Sequence, residues 1–121
     1  MDTLRKVIKS RIEYYENEKK YLNKDFGEKN FEDFLIANAH SGFINDRFLR
    51  FFTNLNETIE DETDLGKVRN YLNNLKETAH RLLMNISFRT TTHPIKNIVN
   101  IWELEYLQTK IKYIDILLSK I

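Results

Sequence analysis

The chain has 121 residues, 41% hydrophobic and 31% charged, a balance that excludes disordered and membrane-dominated classes and suits one compact domain over residues 1–121. Three Gly and one Pro are too few for the many turns of a β-sandwich or barrel, and a count of 0 Cys excludes disulfides, thiolate nucleophiles and Cys-based zinc sites. A formal net charge of +1 gives no global attraction to nucleic acid or anionic lipid, so neither is the expected partner.

Charge is nevertheless uneven along the chain. Residues 1–24 hold seven Lys/Arg against four Asp/Glu, residues 25–66 three against ten, and residues 67–121 nine against four. The acidic middle peaks at Glu57–Asp64, "ETIEDETD", which reads as a solvated connection whose carboxylates favour the start of the next helix. It lacks the ligand spacing and central Gly of a calcium loop. No stretch approaches the ~18 apolar residues of a membrane span, and the first residues have no signal-peptide core, so the expected compartment is the cytoplasm. Asn, Lys and Ile, all with A/T-rich codons, are abundant, which points to a low-GC bacterium, its phage or a mobile element.

In chain order, the first helix is expected over about residues 3–24, where Leu4, Val7, Ile8, Ile12, Tyr15 and Leu22 recur at helical spacing. Gly27 is a natural stop and Asn30 a natural cap for a second helix. Over residues 31–59, Phe34, Ala37, Ile44, Phe48, Phe51, Phe52 and Leu55 fall within a sector of about 100° on a 3.6-residue wheel. Ser41-Gly42 reads as a helix end and Asn45 as a new cap, so this second helix is expected to kink or split near Gly42.

The third helix has Leu65, Val68, Leu72, Leu75, Ala79, Leu82 and Ile86 in alternating steps of three and four, the seam of an antiparallel bundle, with Thr63 or Asp61 as its cap. The fourth is expected to begin at Pro94, since Pro suits a first helical turn, and to run to about Lys120, ~40 Å. It carries two apolar rows. One contains Ile98, Ile101, Leu104, Leu107, Ile111, Ile114, Leu118 and Ile121; the other contains Ile95, Trp102, Tyr106, Tyr113, Ile116 and Leu117. The expected architecture is therefore all-α, a mainly antiparallel four-helix bundle.

Three histidines are the candidates for chemistry. Leu75, Ala79, His80 and Leu82 resemble the phosphate-accepting helix of histidine phosphotransfer domains, which implies an exposed His80 as phosphoacceptor. The Lys-Gly that this family places three and four residues after the histidine is Leu83-Met84 here, and Arg81 is the nearby cation. The same pattern recurs as "LIANAH", ending at His40, which would share a helix side with Arg47. Arg89 and His93 resemble the Arg and His of small helical ribonucleases from toxin and defence systems. That resemblance implies a phosphate-binding Arg89 and a His93 acting on a 2′-hydroxyl, although the spacing is one residue short.

No set of His and carboxylates has metal-ligand spacing and no Gly-rich phosphate loop is present, so no metal and no cofactor are expected. Nothing assembles a nucleophile, a base and an oxyanion site, so no catalytic residue is assigned. The over-wide apolar coverage of the fourth helix leads instead to a non-enzymatic protein acting through a protein partner or self-association, as a regulatory, inhibitor or immunity-type factor. Trp102, Tyr106 and Tyr113 are the expected contact residues, because interfaces favour Trp and Tyr.

Overall fold

The structure, a computed structural model, describes the backbone of residues 1–28, 31–87 and 94–121, and the side chains of 1–22, 39–86, 94 and 96–121. Among these residues there are four α-helices and no strand: α1 (Asp2–Glu28), α2 (Phe31–Ile59), α3 (Leu65–Ser87) and α4 (Pro94–Ser119). The all-α, helix-bundle class read from the sequence is the class observed. The chain divides into two compact units, residues 5–58 and residues 59–121 with 1–4, each built around one pair of helices.

In the first unit α1 and α2 run antiparallel, because contacts descend along one helix as they ascend along the other. Tyr15 stacks on Phe48 and Phe52 at ring-centroid distances of 5.6 and 6.0 Å, whereas Glu18 lies nearer His40 and Ser41. Ile8, Tyr15, Phe48, Phe51, Phe52 and Leu55 are buried in this unit, and the aromatic rings dominate its apolar content. Of the stripe predicted for α2, Phe48, Phe51, Phe52 and Leu55 are buried and Ile44 is half-buried. Phe34 and Ala37 lie outside the described side chains.

Two sequence expectations for this unit need correction. α1 continues through Gly27 to Glu28 instead of ending near residue 24. α2 runs unbroken through Gly42, so the expected break is not there, and Asn45 is an interior helical residue, not a cap. The glycine penalty, about 1 kcal/mol, is small beside the burial of Asn45, Phe48, Phe51 and Phe52 in the next turns of the helix.

In the second unit the acidic connection prepares the start of α3. Glu62 N–H donates to the Ile59 carbonyl at 3.2 Å, closing the turn that ends α2. Asp64 is the N-cap: its Oδ1 accepts from Gly66 N–H at 2.8 Å, and its carbonyl accepts the first helical bond, from Val68 N–H, at 3.2 Å. Asp64 N–H in turn donates to Glu62 Oε1 at 3.0 Å. The cap is therefore Asp64, and not the Thr63 or Asp61 expected from sequence.

α3 and α4 pack against each other. Seven peptide steps from Ser87 to Pro94 can span at most ~25 Å, too short to return the chain along the ~35 Å of α3, so the pair is antiparallel. Lys76 Nζ meets Asp115 Oδ1 at 2.6 Å across the pair and marks its register. Eleven residues separate Lys76 from the end of α3, but twenty-one separate Asp115 from the start of α4. The beginning of α4 therefore projects past Ser87 by about 15 Å. Burial follows this stagger: Pro94 and residues 96–99 are all exposed, and among the described side chains of α4 full burial first occurs at Tyr106 and Leu107.

A methyl group built at Gly42 would meet no atom within 4 Å. Gly42→Ala is accordingly expected to stabilise the protein by about 0.5–1 kcal/mol in denaturant unfolding, through helix propensity and a less disordered unfolded chain. A loss of stability would show that α2 needs glycine there.

Candidate functional site: the outward face of helix four

α4 begins with Pro94 in its first turn, where the missing N–H costs nothing. Its buried residues are Tyr106, Leu107, Ile114 and Leu117, which span about 100° of the helix circumference. The opposite side is not polar in the usual way. Ile98 is 46% exposed, Ile101 62% and Ile116 48%, and all three fall in one sector of about 60° facing away from the buried side. Glu105 and Lys112 lie in the same sector and are exposed. Val99 is exposed on the other side, where the stagger leaves α4 beyond the end of α3.

Of the three aromatic residues singled out from sequence, Trp102 and Tyr113 lie on the flank between these two sides and Tyr106 at the edge of the buried side. Tyr106 is only 8% exposed, with Lys110 Nζ over its ring at 5.5 Å, so it is chiefly a core residue. Trp102 and Tyr113 are half-buried. The exposed apolar surface is carried instead by Ile98, Ile101 and Ile116, which the sequence reading placed in the two apolar rows without separating them from the core. The available signal was angular. A seven-residue row drifts by about 20° per heptad on a straight helix, so Ile98 and Leu118 cannot share one contact line.

His80 is exposed on α3 beside buried Ala79, as a phosphoacceptor would have to be. Its surroundings are apolar where a phosphoryl group needs a cation: Met84, one turn on, is 57% exposed and Leu83 half-buried. Arg81 points part of its guanidinium toward Thr78, Nη2 donating to Oγ1 at 3.4 Å. Arg89 and His93 lie outside the described residues.

His40 is half-buried and lines an open cleft of about 210 Å³ with Tyr14, Tyr15, Glu18, Ser41, Ile44 and Asn45. Arg47 lies over the Phe43 ring at 5.0 Å, a cation–π contact. The cleft is smaller than the ~300–1,000 Å³ of typical small-molecule sites. Its floor includes Asn45, 6% exposed, whose Nδ2 donates to the Tyr15 carbonyl of α1 at 3.0 Å. This bond fixes the register of α1 on α2, a structural use of the cleft's polar lining.

Among the described residues no three His, Asp or Glu side chains converge to hold a metal ion, and no helix is long and apolar enough to cross a membrane. Comparison with known proteins gives no matching family model, no matching curated protein and no matching solved structure.

The Asn45 bond makes a clear energetic prediction. Asn45→Ala removes a buried donor and is expected to cost about 1–2 kcal/mol in denaturant unfolding. Asn45→Asp, which sets a carboxylate against the Tyr15 carbonyl, should cost more than the alanine variant. Equal stability of the aspartate variant and the parent would mean that the inter-helix bond does not form.

Proposed function

We propose that this protein acts by binding another protein through the outward face of α4. One observation carries the reading: Ile98, Ile101 and Ile116 are each exposed along the side of α4 opposite its buried residues. Single exposed apolar residues are ordinary on a protein surface, but aliphatic side chains on the outward face of a helix that already buries its inner face suit a docking surface. Trp102 and Tyr113 flank this face and add partly accessible aromatic rings of the type that interfaces favour. Charged Glu105 and Lys112 within the face supply orientation, as polar groups commonly do in interfaces.

The role that fits is that of a small regulatory, inhibitory or immunity-type factor, working by occupancy of a partner and with no chemistry of its own. The cytoplasm of a bacterium, or of a cell carrying its phage or mobile element, is the setting we assign. Phosphotransfer through His80 is the weaker reading, since Leu83 and Met84 occupy the places where that chemistry needs a cation and a small residue.

A photo-reactive amino acid at position 101, introduced in cells that produce the protein, should give a discrete cross-linked adduct. The same group at exposed Asn73 on α3 is the control and should give none. No adduct from position 101 above the control contradicts the proposal.

A further inference from the structure

The outward face of α4 has a symmetry that selects its occupant. Ile101 and Ile116 lie equally far on either side of the midpoint between Gln108 and Thr109, and so do Glu105 and Lys112. All four share the exposed sector opposite Tyr106, Leu107, Ile114 and Leu117. A helix laid antiparallel against this face, with a two-fold axis at that midpoint, therefore presents apolar to apolar and acid to base when it is a second α4.

From this pattern we infer that the protein self-associates: α4 pairs antiparallel with α4 of a second copy. Glu105 of each copy faces Lys112 of the other, and Ile101 of each faces Ile116 of the other. The pairing rests on the protein-binding reading of α4 and names the partner as another copy of this chain.

The charges decide direction as well as partner. Glu105 and Lys112 are two helical turns apart, about 10.5 Å along the axis, too far to form an ion pair with each other in one helix. In a parallel pairing Glu105 would face Glu105 and Lys112 would face Lys112, two like-charge contacts that oppose association. The antiparallel arrangement converts both into opposite-charge contacts. It also produces an isologous interface that closes after two copies, so the expected product is a dimer and not a filament. Gln108 and Thr109, on either side of the axis, are polar residues at the crossing point. Ile98 extends the apolar contact toward Ser119 of the second copy. Because the exposed isoleucines are few and the face includes charge, the interface belongs to the small, reversible class.

The test uses sedimentation of the full chain over a concentration series from ~1 µM to ~1 mM. The parent should move from one-chain to two-chain mass as concentration rises. E105K alone and K112E alone each place like charges face to face, and each should need at least about tenfold more protein to associate. The double variant E105K/K112E restores opposite charges at every contact and should associate as the parent does.

An equimolar mixture of the two single variants is the sharpest arm. Each is repelled by itself, yet the E105K chain complements the K112E chain, so the mixture should reach two-chain mass where neither does alone. Both substituted positions are exposed, and circular dichroism verifies that the variants keep their helices.

A parent that stays at one-chain mass throughout, or single variants that associate like the parent, overturns the self-pairing. If the parent remains monomeric while position 101 still cross-links to a different protein, the binding reading stands and only the choice of partner falls. If position 101 gives no adduct, both fall.

Discussion

Within its unit α4 packs against α3, a contact that hides about one third of a helix's circumference, and α4 carries apolar residues over considerably more than that. This mismatch shapes the second unit. Tyr106, Leu107, Ile114 and Leu117 take the available shelter, and Ile98, Ile101 and Ile116 are left facing outward. The stagger set by Lys76 and Asp115 sharpens the conflict, because it carries the first turns of α4 beyond α3 and uncovers even the inward-facing Val99. The ion pair is itself half-exposed and contributes little energy. Its importance lies in the register it marks.

The first unit resolves the same packing problem differently. Its helices bury aromatic rings, with Tyr15 against Phe48 and Phe52, and a buried polar bond from Asn45 to the Tyr15 carbonyl crosses between them. Aromatic surface supplies the bulk of the burial, and it tolerates small slips along the helix axis. The buried amide does not tolerate them, since a shifted helix would leave its donor without a partner. A polar group inside an apolar seam thus supplies uniqueness where the hydrophobic contacts supply adhesion.

Fold class and most helix limits were legible because helix periodicity is a property of each segment alone. The seam of α3 and the phenylalanine stripe of α2 needed no tertiary knowledge, and Pro94 marked the start of α4. What failed was local punctuation read without its tertiary setting. Ser41-Gly42 and Asn45 have the form of an end and a cap, but Asn45 gains more by donating across to α1 than by capping a new helix. Asp64 and its neighbours Asp61 and Thr63 are all chemically competent caps, and only backbone geometry chooses among them. The apolar excess of α4 was legible in its two rows of residues. Which of them stand exposed was not, because exposure depends on the angle at which α4 meets α3. Tyr106 turns inward by that angle, and Ile101 turns outward.

The central claim is that one chain alone leaves this outward face of α4 in contact with water, and side-chain oxidative footprinting at high dilution measures it directly. Ile101 and Ile116 should be modified far more readily than Ile114 and Leu117 on the same helix, at rates approaching that of other exposed side chains. Protection of Ile101 and Ile116 equal to that of Ile114 at every dilution would contradict it, because the chain would then be covering that face itself.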